Sequence, residues 1–256
     1  MTLGRASNLP TVWSNCLAAW FLSGGQLYTL VEIEKIILLN LGATMLYLGG
    51  MFLNDAFDFH FDKDHRSERP IPSGAISINT VYLFGGSLML AGVFCVIWIN
   101  ISAAICSLCL AGSIFWYDYI HKRINWSPLI MGLCRFFLYL LSGSMMIGFI
   151  TIPVLLGGIM LFGYIVGLSN IARNEATGGR VNSWPCWFLM LPLFYAVGLS
   201  FFYSGEIHIS FELIVVMAVY LLWTIRSLLF SFKTRNSNYG RTVSGLLAGI
   251  VLFDLL

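Results

Sequence analysis

The chain has 256 residues, of which 58% are hydrophobic and only 10% charged, and its formal net charge is +2. Soluble domains carry about 25% charged residues, and a globule of this length has too little interior to hide so much apolar surface, so a soluble fold is excluded. A net charge of +2 is too small to suggest a nucleic-acid partner, and none is expected.

The apolar stretches run about 20 residues, not the alternating segments of about 10 that a membrane barrel needs, so the expected fold is all-α. It is a polytopic bundle of about nine transmembrane helices, forming one domain over residues 1–256. In chain order the spans are expected at 11–30, 36–55, 79–98, 100–119, 128–148, 152–171, 185–204, 211–231 and 242–256. The last is short for a hydrocarbon core of about 30 Å. No secretory signal is expected, because no cleavage pattern precedes the first apolar segment.

Lys and Arg then sort by side. Arg5, Lys63, Arg66, Arg69, Lys122, Arg123, Arg173, Arg180, Lys233, Arg235 and Arg241 fall on the side of the N-terminus. Lys35 alone falls opposite, beside Glu32 and Glu34, while Arg135 and Arg226 lie inside spans. This asymmetry predicts a cytoplasmic N-terminus and cytoplasmic loops after spans 2, 4 and 6, in what is expected to be a bacterial inner membrane.

The second span ends in Asn54-Asp55-x-x-Asp58-x-x-x-Asp62, followed by Arg66, Arg69 and Pro70. A continuing helix puts Asp55, Asp58 and Asp62 on one face. Crowded carboxylates resist ionisation unless a cation joins them, and Mg²⁺ prefers oxygen ligands shared with substrate phosphates. The alternative, a solvated acidic helix end, does not explain why the intervening positions are aromatic. Two further polar segments fall on the same face: Tyr117-Asp118-Tyr119-Ile120-His121-Lys122-Arg123, and Asn170-Ile171-Ala172-Arg173-Asn174-Glu175 with Gly178-Gly179 beyond it. A metal-ready carboxylate face, the cations Arg66, Arg69, Lys122 and Arg173, and an adjoining apolar cavity suit an isoprenyl diphosphate donor. The diphosphate would be stabilised as it leaves, and an acceptor would capture the allylic cation.

The Asn54 to Asp62 motif with Glu68-Arg69-Pro70-Ile71-Pro72-Ser73-Gly74, the opening Asn8-Leu9-Pro10-Thr11-Val12-Trp13-Ser14-Asn15, and the nine-span plan together resemble the UbiA superfamily of membrane prenyltransferases. Tyr117-Asp118 through Lys122, with Met131-Gly132-x-Cys134-Arg135, resembles its EboC-like branch. The resemblance implies a Mg²⁺-dependent transfer of an isoprenyl group to an aromatic or other small acceptor between two facing aspartate motifs. It gives Asp58, Asp62 and Lys122 the catalytic roles, and Asn54, Asp55, Asp58, Asp62 and Glu175 the metal. Asn54, Arg66, Arg69, Lys122, Arg135, Arg173 and Asn170 take the diphosphate. The second motif departs from the family pattern, with Asn170 and Asn174 as amides and only Glu175 anionic. One metal would then be held well and a second poorly, with Arg173 as a replacement cation. A rival expectation is a non-catalytic relative that binds or helps move an isoprenoid or other metabolite.

Other residues are read singly. Arg135 is either a deeper diphosphate contact, half of a structural pair with Asp118, or a snorkelling residue. Asp118 is either a general base or, the favoured reading, a partner for Lys122 four residues on. His60 and His65 read as ordinary loop histidines, and the six cysteines as small buried hydrophobes. Gly24-Gly25, Gly49-Gly50, Gly85-Gly86 and Gly157-Gly158 read as close-packing positions. Asp254 is placed at the outer interface with no chemistry.

Overall fold

The computed structural model describes residues 6–177, 184–204, 210–232 and 239–256, without the side chains of 6, 174–177, 203–204, 232 and 239. Among the described residues the regular structure is entirely helical. The helices are α1 (Leu9–Leu22), α2 (Leu30–Phe57), α3 (Phe59–His65), α4 (Ile78–Ile97), α5 (Ile101–Ile120), α6 (Ser127–Ile147), α7 (Ile152–Thr177), α8 (Trp184–Phe188), α9 (Leu191–Ser204), α10 (Phe211–Phe232) and α11 (Tyr239–Phe253).

Among the described residues, seven segments are long and apolar enough to cross a membrane: α2, α4, α5, α6, α7, the α8–α9 stretch and α10. The other two expected spans, α1 and α11, have 14 and 15 residues, or roughly 21–23 Å at 1.5 Å per residue, less than a full crossing. The protein is an integral membrane protein of the expected class; α11 has the short length expected of it, and α1 is shorter than anticipated.

Local chemistry explains the shifted boundaries. The first helix stops at Leu22 and not near 30, because Ser23 caps it and Gly24 follows at φ +87°, a region favouring glycine. The second begins at Leu30 and not 36. Thr29 Oγ1 accepts from the Glu32 amide at 3.2 Å, and the Glu32 carboxylate accepts from the Thr29 amide at 2.9 Å, a reciprocal cap. Glu32 and Glu34 thus join the first turns of a helix, where its dipole favours anions. The seventh span breaks into α8 and α9 where Pro192 occupies the second position of α9, since proline lacks the amide to continue the ladder.

α2 packs against α4 and α5; α6 against α5, α7 and α1; and α11 against α10, α7 and α1. Leu39, Leu46, Leu141, Met145, Leu161 and Tyr164 fill the interior, while Leu83, Leu90, Phe94 and Leu222 remain exposed on the outside. With lipid as apolar as the core, close backbone approach must hold such helices together. Small residues supply it between α2 and α4. A Cβ on Gly42 would lie 2.9 Å from the Gly92 carbonyl oxygen, and one on Gly92 would lie 2.8 Å from that of Gly42. One turn pair further on, a Cβ on Gly49 would meet the Gly85 carbonyl at 2.9 Å.

Gly92→Ala is therefore expected to lower the unfolding midpoint of the detergent-solubilised protein, at a cost of about 1–3 kcal/mol. Gly86→Ala, whose Cβ would meet open space, should leave the midpoint unchanged or raise it. Equal midpoints for the two variants would refute the close-approach account.

Candidate active site

The carboxylate motif straddles a helix junction. α2 ends at Phe57, Asp58 caps it, and α3 resumes at Phe59. The hydrogen bonds Asp58 N to Asn54 O and Asp62 N to Asp58 O, both 2.9 Å, carry the helical path across the break. Asn54, Asp55, Asp58 and Asp62 therefore stay on one side and are all buried.

Their partners come from elsewhere in the chain. Arg69, in the loop between α3 and α4, bridges two turns of the motif: its Nη1 lies 3.2 Å from Asp55 Oδ1 and 2.7 Å from Asp62 Oδ2. Lys122, just past α5, places Nζ 2.8 Å from Asp58 Oδ1 and 3.8 Å from the Phe61 ring centroid. His121 sets Nε2 3.3 Å from the same Asp58 oxygen, and its Nδ1 faces the Tyr117 and Asp118 carbonyls at 3.2 Å. Asn54 Nδ2 donates to Asp118 Oδ1 at 3.0 Å.

These contacts change the expectation in one respect. The carboxylates were expected to wait for a metal; the cations beside them are the protein's own, Arg69 and Lys122. The expected Asp118–Lys122 pair is replaced, because Lys122 turns across to Asp58 and Asp118 takes the Asn54 amide. His121 and Phe61, given no role above, complete the surroundings of Asp58. Their signal was visible: His121 precedes Lys122 in the same turn, and Phe61 is one of the aromatic positions between the acids.

Other expected residues are placed apart. Arg66 is exposed and makes no ion pair with the described carboxylates. Arg173 grips Asn125, donating from Nη1 to its carbonyl and from Nη2 to Oδ1 at 2.7 Å, which ties α7 to the α5–α6 turn. Asn170 donates its amide to the Val166 carbonyl at 2.8 Å. Asn174, Glu175 and Gly178-Gly179 lie outside the described residues or side chains. Arg135 faces α1 and not Asp118, with Thr11 and Asn15 as partners. Asp254, expected at the outer interface, is instead held by Ser14 and Asn15 of α1, because the short α11 ends against that helix. Two apolar hollows of about 480 and 440 Å³ lie beside the α6–α7 turn and between α7 and α9, away from the carboxylates.

The donor set suits a hard divalent cation. Four carboxylates face two permanent cations, leaving an excess of negative charge. Among the described residues, Asp62 Oδ1 and Asp118 Oδ2 are buried without a hydrogen-bond partner, a costly state that a cation would relieve. Among the described residues no three His, Cys, Asp or Glu side chains close around one point.

Residues 9–238 match the model of the UbiA prenyltransferase family. The chain is 26% identical over 254 residues to the digeranylgeranylglyceryl phosphate synthase of Saccharolobus solfataricus, covering 92% of this chain and 88% of that one. Its fold matches a UbiA homologue from Aeropyrum pernix with a TM-score of 0.71 at 15% identity, covering 98% of each chain. It also matches a UbiA homologue from Archaeoglobus fulgidus bound to GPP and Mg²⁺, with a TM-score of 0.65 at 13% identity and coverage of 99% and 98%.

The environment of Asp58 gives a measurable consequence. Burial pushes its carboxyl up, but hydrogen bonds and charge from His121 and Lys122 outweigh burial and hold it below the ordinary 3.8. A depressed native value stabilises the fold above the unfolded value, and the gain disappears as pH falls through the native one. Lys122→Met is expected to lower the thermal midpoint near neutral pH, with the gap to the parent closing below about pH 3.8. A gap independent of pH would show that Lys122 acts through packing alone.

Proposed function

The chain belongs to the UbiA prenyltransferase family, and from that premise we propose that it transfers an isoprenyl group from an isoprenyl diphosphate to the hydroxyl of a lipid glyceryl phosphate, with Mg²⁺. The observation carrying this reading is the buried cluster in which Arg69 spans Asp55 and Asp62 while Lys122 holds Asp58. The acceptor class is supported by the name of the Saccharolobus relative, and the donor and metal by the GPP- and Mg²⁺-bound Archaeoglobus homologue. The excess of Lys and Arg at this end of the helices supports a cytoplasmic site.

In the proposed reaction Asp62 and Asp118, with Asp55 and Asp58, would hold the cation. Bound Mg²⁺ supplies Lewis-acid stabilisation of the departing diphosphate. Arg69 and Lys122 exchange carboxylate oxygens for diphosphate oxygens. This swap keeps each cation charge-matched and aims both at the leaving group. Asn54 fixes Asp118, and His121 keeps Asp58 ionised during the exchange.

One observation favours a second reading, a relative that binds an isoprenoid diphosphate without turning it over. Asp55, Asp58 and Asp62 are already paired with internal cations, and the second motif offers Asn170 as an amide. Released pyrophosphate separates the two. Purified protein with geranylgeranyl diphosphate, Mg²⁺ and a glyceryl phosphate acceptor is expected to release it. Asp58→Ala and Asp62→Ala should each cut release by about 10²–10³-fold, the scale for losing a preorganised electrostatic group. Tight donor binding with no release, across donor lengths, would establish the non-catalytic reading.

A further inference from the structure

A second polar centre lies in the bundle, and the diphosphate chemistry leaves it unused. Arg135 stands eight residues into α6, roughly 12 Å along its axis. One end of its guanidinium grips α1. Nη1 donates to the Thr11 carbonyl at 3.0 Å and to Asn15 Oδ1 at 2.8 Å, and Nη2 donates to Thr11 Oγ1 at 2.9 Å. Three of the five N–H groups are thereby committed. The Nε–H and the second Nη2–H, neighbours along one edge of the plane, meet no acceptor among the described residues. That edge has the side-on fork geometry that matches two oxygens of a phosphate or carboxylate.

The surroundings keep this edge uncommitted. Asn15 Nδ2 donates to both oxygens of Asp254, at 2.9 and 2.8 Å, and the Ser14 hydroxyl adds a third bond to that carboxylate. With its NH₂ so engaged, Asn15 must present its carbonyl oxygen to Arg135. Asp254 thus sets the orientation of Asn15 and stands one amide away from the guanidinium. Protein crowds around Arg135, whose side chain is largely buried within the bundle. Tyr47 of α2 is among its electrostatic neighbours. Tyr47 precedes Asn54 by seven residues, which places this centre about 10 Å beneath the carboxylates along α2. A guanidinium inside a membrane protein is costly without anions to face, and Asp254 reaches Arg135 through the Asn15 amide and not by a direct ion pair.

We infer that Arg135 is the anchor for the acceptor's anion: its Nε–Nη2 edge takes the phosphate of a glyceryl phosphate lipid, leaving the glycerol between that phosphate and the reacting end of the donor. The assignment rests on the transfer reading above, but binding can test it alone. The probes are geranylgeranylglyceryl phosphate, unphosphorylated geranylgeranylglycerol, inorganic phosphate and, separately, geranylgeranyl diphosphate, each titrated into the purified full-length protein. The parent protein is expected to bind the phosphorylated lipid at least about tenfold more tightly than the alcohol, a difference of about 1.4 kcal/mol. Arg135→Gln should erase that preference while holding donor affinity within about twofold. Arg135→Lys, which keeps the charge but loses the fork, should retain part of the preference. No preference in the parent, an unchanged preference in Arg135→Gln, an equal loss of donor affinity, or equal competition by inorganic phosphate would each overturn the inference. A preference lost in Arg135→Gln, with no pyrophosphate released by the parent, would uphold the anchor and defeat transfer. Transfer that persists with the preference unchanged in Arg135→Gln would do the reverse.

Discussion

Four carboxylates buried at one end of an apolar bundle must be compensated, and much of the local architecture follows from how. Breaking one partner from a buried ion pair typically costs 3–5 kcal/mol, because the other charge is left stranded. Arg69 and Lys122 meet this need from two separate parts of the chain. Arg69 folds the loop after α3 back over α2, and Lys122 pins the end of α5 to the junction of α2 and α3. The Asn54–Asp118 hydrogen bond adds a second tie between α2 and α5. The same charges that would bind a diphosphate also hold these helix ends together in its absence.

Lipid removes the hydrophobic drive that packs helices in water, so shape has to replace it. The paired glycines of α2 and α4 bring two backbones into contact, and the long α2 then serves as the rail on which the carboxylates and Tyr47 are spaced. On the other side of the bundle, α1 and α11 are too short for a full crossing and meet through Ser14, Asn15 and Asp254. Among the described residues, one cluster of charged and amide groups surrounds the aspartates and another surrounds Arg135. Both are stitched by amides: Asn54 in the first and Asn15 in the second. An amide can donate to a carboxylate with one end while its oxygen serves a cation, as Asn15 does between Asp254 and Arg135.

Much of the fold was legible from the chain alone. Runs of about 20 apolar residues specify membrane helices through length and composition, and both are local properties. The spacing of Asp55, Asp58 and Asp62 likewise put them on one face despite the break at Asp58. Less legible were the partners. Lys122 was assigned to Asp118 by helical spacing, yet the fold offered it Asp58 on another helix. Arg66 and Arg69 look equivalent in sequence, but only Arg69 sits where the loop returns over the motif. Asp254 gave no sign of its role, because its partners lie about 240 positions earlier in the chain.

The amino-acid sequence by itself determined a helical membrane protein with an aspartate face, since hydropathy and helical periodicity need only neighbours along the chain. Tertiary structure alone decided which cation meets which carboxylate, that Asn15 turns its oxygen toward Arg135, and that one edge of that arginine remains uncommitted. Those outcomes depend on distances between segments far apart in sequence. In a low-dielectric interior, shifts of a few ångströms decide whether two charges pair or stay apart.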